Sequence, residues 1–131
     1  MSIKVEGSFE VTSWDEDQAG GLEETGKVSR ATIGQRFAGG IEAETVADMV
    51  MTYSDDGTAE FVGYHRVQGR VKDKAGSFVL QASGDYDGTS ARTNFEVVPG
   101  SARGELAGLQ GSGMGSAGHG STGVYSFDFN L

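Results

Sequence analysis

The sequence contains no cysteine, only two histidines, His65 and His119, and a single proline, Pro99. Without cysteine the chain cannot form a disulfide framework, and it has no thiol nucleophile. Metal sites of the His-rich barrel type need two or three ligands at close spacing. The two histidines are far apart along the chain, so we predict no metal site.

Basic residues are also scarce: 10 Lys and Arg stand against 19 Asp and Glu, and the net charge is -9. Nucleic acids and anionic membranes are bound by clustered basic side chains, so we expect neither as a partner. No segment approaches the ~20 apolar residues of a membrane span. Because the first residues resemble neither a signal peptide nor a transit peptide, we expect a cytoplasmic protein.

Residues 113–118 match the dinucleotide-binding pattern G-x-G-x-x-G. That motif works only between a parallel strand and the N-terminus of a helix, and neither is predicted here. We therefore predict no cofactor. Residues 111–123 are interpreted as a flexible Gly/Ser-rich loop.

Alternating apolar and polar residues predict β-strands along most of the chain. The predicted strands cover residues 3–11, 28–37, 41–53, 58–68, 76–84, 89–98, 104–110 and 124–131. Residues 13–27, with Trp14 and an acidic run, break the alternation and are interpreted as a long solvated loop. Asp55-Asp56-Gly57 and Asp87-Gly88 are hairpin signals, and residues 72–76 form a polar turn.

The length of 131 residues fits a single domain spanning residues 1–131. The last predicted strand places Tyr125, Phe127 and Phe129 on one face, which would make a bare apolar edge in an open sheet. Pairing it with the first strand removes both edges. We therefore predict an all-β fold: a single closed eight-stranded antiparallel barrel.

A three-residue loop at 55–57 defines the register of the third and fourth strands. It sets Tyr53, Met51, Met49 and Ala47 opposite Ala59, Phe61, Gly63 and His65, respectively. His65 is thereby placed on the inward, apolar face, and across the next turn we expect roughly Ala82 beside it. A hydrogen-bonded core histidine and a ligand-contacting or acid–base histidine both remain open.

The inward face supplies the candidate site. His65 and Tyr53 are the candidate catalytic residues, and the candidate ligand-binding residues are Gln35, Met49, Met51, Phe61, Thr93 and Tyr125. Each of the polar ones could instead satisfy a neighbouring group in a filled core. On the outward face, Val46, Val50, Val62 and Tyr64 form an apolar cluster of the kind that marks interfaces, which predicts a homo-oligomer.

Several segments in order resemble the DUF3224 family of small bacterial proteins. They are residues 7–11 with 13–16, residues 56–63, residues 76–81, residues 97–101 leading into 104–109, and the ending 123–128. The resemblance implies an eight-stranded barrel similar to allene oxide cyclase and dirigent proteins, which act on small apolar molecules. The sequence departs from the family pattern at Ala102-Arg103, and at His65, where a carboxylate is expected. The cysteine of allene oxide cyclase has no counterpart.

Two functions follow from these observations. One is an isomerase or cyclase that folds a small apolar substrate in the barrel, since such catalysis depends mostly on shape and orientation. The other is a non-catalytic barrel that binds a small ligand or has a structural role in an oligomer. A cavity above ~300 Å³ with converging polar groups would favour a ligand site, whereas a filled interior would exclude both catalysis and ligand transport.

Overall fold

A computed structural model describes residues 2–18, 27–118 and 122–131. Within these ranges all regular structure is β, and no helix occurs, which confirms the all-β class. The strands are β1 (Ser2–Gln18), β2 (Lys27–Gly39), β3 (Ile41–Tyr53), β4 (Ala59–Val71), β5 (Lys74–Tyr86), β6 (Ala91–Val97), β7 (Arg103–Gly104), β8 (Gln110–Ala117) and β9 (Thr122–Asn130).

Eight strands close into an antiparallel barrel in the order β1-β2-β3-β4-β5-β6-β8-β9. The ring is completed by β9 pairing with β1, from Ser2 opposite Asn130 to Glu10 opposite Thr122. This pairing confirms the predicted closure, which removes the apolar edge that the last strand would otherwise expose. The short strand β7 lies outside the ring and pairs with the beginning of β5.

The predicted register of β3 and β4 is confirmed: Tyr53 lies opposite Ala59, and Ala47 lies opposite His65. The turn after β4 is tighter than expected, because Val71 already pairs with Lys74. Lys72 occupies the left-handed region in this turn, with φ 56°.

The tighter turn changes the neighbour of His65 on β5. His65 lies opposite Leu80, and Ala82 lies opposite Gly63. The expectation of Ala82 beside His65 was therefore wrong by two residues, because a five-residue turn was assumed where two residues suffice. Gly63 has no room for a side chain, since a Cβ atom there would lie 2.1 Å from the Asp48 carbonyl oxygen.

The first strand is longer than predicted, because β1 continues through residues 13–18. Its pairing with β2 shifts between Val11 and Ser13, which marks a β-bulge. Inward side chains fall at odd positions before the bulge. After it, Trp14 and Glu16 pair with the buried residues Ile33 and Ala31, and Trp14 itself stays 52% exposed. The bulge switches the inward-facing side chains from odd to even positions. A single pattern of alternating apolar and polar residues therefore could not predict the whole strand. Residues 19–26 of the predicted loop lie outside the described residues.

The interpretation of residues 111–123 as a flexible loop was wrong for its first part, because β8 pairs with both β6 and β9. Glycines of β8 leave space that aromatic rings of the neighbouring strands occupy. A Cβ atom on Gly113 would lie 2.3 Å from the Phe127 ring, and glycine in a strand often marks such a close approach. Residues 119–121, including His119, lie outside the described part of the chain.

The predicted strand at 104–110 is instead a turn that closes one end of the barrel. Leu106 and Leu109 are each only 1% exposed, and the turn is held by a bond from the Leu109 amide to the Leu106 carbonyl, 2.9 Å. The Glu105 amide donates to Ala75 at the start of β5. The leucines therefore pack at the end where the β4–β5 hairpin turns, and buried leucine, rather than sheet pairing, explains the apolar residues in this segment.

Candidate functional site

A cavity of about 180 Å³ lies inside the barrel. Its lining includes Met51 and Phe61, which face each other near the β3–β4 turn, and Ala91, which begins β6. The cavity is thus displaced toward the end of the barrel opposite the Leu106 turn. Its aromatic and thioether lining consists of Phe9, Trp14, Phe61, Phe95, Met49 and Met51.

His65 contributes the imidazole of this cavity from the middle of β4. The residue is 5% exposed, and its ring meets the Phe95 ring edge-on with centroids 5.3 Å apart. Burial lowers the pKa of His65 to about 4, because the low-dielectric interior disfavours the charged form. At neutral pH the ring is therefore uncharged, and it offers one N–H donor and one acceptor nitrogen.

One nitrogen of this imidazole is unsatisfied: Nδ1 is buried and has no hydrogen-bond partner among the described residues. Buried polar atoms are nearly always hydrogen-bonded. The Thr45 hydroxyl on the neighbouring strand β3 is the other buried polar side-chain atom without a hydrogen-bond partner in the described part of the chain. His65 therefore does not fit the hydrogen-bonded core histidine that was the alternative interpretation.

Besides the exposed Ser116, two further polar residues line the cavity. Gln35 comes from β2 and Thr93 from β6, and both are half-buried. Together with His65 they bring polar groups from three strands to a mainly apolar chamber. Six of the eight predicted site residues are thus brought together here: His65, Gln35, Met49, Met51, Phe61 and Thr93.

The two predicted tyrosines are placed elsewhere. The Tyr125 hydroxyl donates to the Ala38 carbonyl, 2.7 Å, and accepts the Ile41 amide, 2.8 Å. It therefore ties β9 to the β2–β3 turn, which accounts for its polarity without a ligand. Tyr53 lies at the end of β3 and touches the cavity only indirectly, with its hydroxyl 3.4 Å from the Met51 sulfur.

Tyr53 belongs to a polar cluster around Glu16 that the sequence did not reveal. The Glu16 carboxylate accepts hydrogen bonds from the Tyr53 hydroxyl at 2.6 Å, the Trp14 indole at 2.9 Å and the Ser29 hydroxyl. The Lys27 amine lies 4.6 Å above the Tyr53 ring. Because Trp14 lines the cavity, the cluster holds one wall of the chamber in position.

Opposing effects act on the pKa of Glu16. Burial raises it, but the bonds from Ser29, Tyr53 and Trp14 and the charge of Lys27 outweigh burial and lower the pKa below its ordinary value. The pKa of Tyr53 is raised by burial and then by its bond to the Glu16 carboxylate. The pair therefore consists of a carboxylate and a protonated phenol at neutral pH. The signal that could have revealed it is the parity change at Thr12-Ser13, which turns Trp14 and Glu16 inward.

No three metal-binding side chains converge within the described residues. Nor does that part of the chain contain a helix long and apolar enough to cross a membrane.

The closed eight-stranded ring with a small interior chamber defines this chain as a β-barrel protein of the size class that is either filled or holds one small ligand. The chain belongs to the DUF3224 family, described as "Protein of unknown function", whose model matches residues 5–129. No curated protein matches the sequence.

A solved structure supports the fold and the family. The crystal structure of a DUF3224-family protein of unknown function from Shewanella oneidensis MR-1 is 30% identical in sequence, with a TM-score of 0.79. The match covers 100% of this chain and 98% of that one. The likeness to allene oxide cyclase and dirigent proteins stays a prediction.

Proposed function

We propose that this chain binds one small, uncharged, apolar molecule in the barrel and does not transform it. The observation that carries the proposal is the chamber of about 180 Å³ walled by aromatic rings and thioethers, with an unpaired imidazole beside it. Dispersion and burial of apolar surface would supply the affinity, and the polar groups would orient the ligand.

The volume restricts the ligand to about one ring. The cavity is smaller than the ~300 Å³ at which drug-sized ligand sites begin. An apolar cavity of about 150 Å³, however, stays dry and accepts benzene. A single ring with one small substituent is therefore the size that this chamber accommodates.

The same groups argue against proton-transfer catalysis. A general base works best when its pKa lies near the operating pH, whereas burial lowers the pKa of His65 to about 4. The hydroxyl of the other predicted catalytic residue, Tyr53, already donates a hydrogen bond to the Glu16 carboxylate. Binding without isomerisation or cyclisation is therefore the function that these side chains support best.

Methionine methyl groups provide a direct test with toluene as the probe. In protein labelled with ¹³C at the methionine methyls, toluene should shift the NMR signals of Met49 and Met51, which line the chamber. The signal of Met114, which is 55% exposed on the outside of β8, should stay in place. Saturable shifts confined to the first two would support the proposal.

Partly filling the chamber should weaken toluene binding. Ala117→Leu adds a branched side chain to the cavity lining, so we expect toluene to bind about tenfold more weakly as the free volume disappears. Ala107→Leu makes the same change on an exposed residue of the Leu106 turn and should bind like the wild type. If Met49 and Met51 never respond to toluene, the proposed function is wrong.

We also propose that the protein is a homo-oligomer assembled through the outward face of β3 and β4. Val46, Val50, Val62 and Tyr64 are all exposed there. The Asp48 carboxylate and the Arg66 guanidinium form an exposed ion pair, 2.7 Å, among them. A patch with both charges beside apolar side chains is self-complementary, as a twofold interface requires, so the proposed occupant is a second copy of this chain.

Val62→Lys should convert the oligomer to monomer, because the substitution places a charge in the centre of an apolar interface. Size-exclusion chromatography with light scattering would measure the mass. Val124→Lys is the matched control, since Val124 is exposed on β9, far from the patch. A monomeric wild-type protein, or dissociation by the control substitution alone, would contradict the proposed interface.

A further inference from the structure

We infer that the molecule bound in the chamber is an uncharged ring compound that carries one hydroxyl group, and that this hydroxyl hydrogen-bonds the His65 imidazole. The inference rests on the proposed function and specifies its ligand. It is drawn from three properties of the chamber: an unpaired imidazole, the absence of charged side chains from its described lining, and walls suited to a flat ring.

The unpaired imidazole indicates a polar atom on the ligand. His65 lines the chamber, its Nδ1 has no partner within the described part of the protein, and the Ala47 methyl beside it on β3 offers none. Gln35 and Thr93 face the same space from other strands. A hydroxyl group can both donate and accept a hydrogen bond, so it can pair with Nδ1 of a neutral imidazole in either tautomer. Gln35 or Thr93 could then be its second hydrogen-bond partner.

The charge of the lining excludes ionic ligands. No Asp, Glu, Lys or Arg is among the described residues that line the chamber, and the neutral His65 supplies no positive charge. A carboxylate or an amine would lose its hydration there without gaining a counterion, which is prohibitively costly. The net charge of -9 further disfavours the approach of anions.

The walls favour a flat ring over a flexible chain. Phe9, Phe61 and Phe95 offer faces and edges for aromatic contacts. Met49 and Met51 place polarisable sulfur atoms at the same chamber, and thioethers contact ring edges favourably. A rigid ring also loses less conformational freedom on binding than an alkyl chain of the same volume.

Phenol and toluene test the inference, because they differ only in a hydroxyl and a methyl group. In the wild-type protein, phenol should bind at least as tightly as toluene, although toluene gains more by leaving water. His65→Leu should weaken phenol by about tenfold while changing toluene by about twofold or less, because only phenol loses a hydrogen bond. The titrations follow the Met49 and Met51 methyl signals, with Met114 as the internal reference.

Thr45→Val is the matched control variant. It removes the Thr45 hydroxyl, which is the other buried polar atom without a partner among the described residues and does not line the chamber, so it should leave both affinities unchanged. Benzoate, which has a similar ring but a charge, should produce no shift of Met49 or Met51. Equal losses of phenol binding in Thr45→Val and His65→Leu would overturn the assignment to His65.

The outcomes separate this inference from the proposed function. If toluene binds but phenol is clearly weaker in the wild-type protein, or if benzoate binds, the ligand class is wrong and the chamber still binds apolar molecules. If neither phenol nor toluene shifts Met49 and Met51, the proposed function fails. The phenol-to-toluene ratio of the wild-type protein decides the inference even if His65→Leu does not fold.

Discussion

Lowering the pH from 6.5 to 4 should destabilise the wild-type protein by on the order of 3 kcal/mol more than a His65→Gln variant. Burial depresses the pKa of folded His65 to about 4, whereas the unfolded residue titrates near 6.5. Between these pH values the His65 imidazole is mostly protonated in the unfolded chain and mostly neutral in the folded protein. This contribution is complete above pH 6.5 and is lost as the pH falls toward 4.

Urea unfolding of both proteins across this pH range would measure the difference. Carboxylates also destabilise the fold at low pH: the pKa of Glu16 is lowered, so its contribution is present above 4.5 and disappears as the pH falls through its folded value. Asp56 and Asp87 behave likewise. These groups are common to both proteins, so the difference isolates His65. Parallel stability curves would mean that its imidazole is hydrated.

Leu106→Ala should cost about 2–5 kcal/mol in the free energy of unfolding, the range for deleting a buried leucine side chain. Leu106 is 1% exposed in the turn after β7, where it packs under the end of the barrel near the start of β5. The β-carbon of Gly76, if present, would lie 3.3 Å from that of Leu106, so the space is tightly filled. Toluene binding should survive, because the chamber lies toward the opposite end.

Met114→Ala is the matched control for this substitution. It removes a side chain of similar size that is 55% exposed, so we expect a change within about 0.5 kcal/mol. Denaturant unfolding of the three proteins under one condition measures both effects. A loss for Leu106→Ala no larger than that for Met114→Ala would place Leu106 outside the core.

The sequence pattern predicted strand pairing correctly where apolar and polar residues alternate without interruption along a strand and a short turn joins that strand to the next. Residues 41–53 alternate without interruption and run into a three-residue loop, so the pairing of β3 with β4 and the inward direction of His65 followed from the sequence. Turn length was the weak point. Assigning five residues instead of two to the β4–β5 turn displaced the neighbour of His65 from Leu80 to Ala82.

The glycine content of residues 111–123 gave a wrong prediction for the first part of this segment. In residues 111–123 it suggested flexibility, yet Gly113 lies in a strand where the Phe127 ring leaves no room for a side chain. Flexible loops and crowded barrel strands can have the same glycine content. Only the neighbour across the sheet distinguishes them, and that neighbour is not local in sequence.

The candidate site also contains residues that the sequence pattern predicted and residues that it missed. Six of its residues followed from strand parity, but Trp14 and Glu16 did not, because the bulge after Val11 reverses which side chains face inward. Tyr125 was correctly directed inward, but its hydroxyl is occupied by the Ala38 carbonyl and the Ile41 amide. Whether an inward polar group is free or satisfied depends on contacts between distant segments.

The sequence by itself determined the class of fold, the closure of β9 onto β1, the family and the burial of His65. The family followed from the resemblance of several segments, whereas the fold class, the closure and the burial of His65 depend on hydrophobic alternation and on the cost of an unpaired apolar edge, both of which are properties of the sequence. Only the tertiary structure decided that the interior keeps a chamber of about 180 Å³, that the Leu106 turn fills the other end and that Glu16 holds Trp14 at the wall. The size of a cavity is a small difference between the enclosed volume and the side chains from eight strands that fill it, and no local pattern encodes that difference.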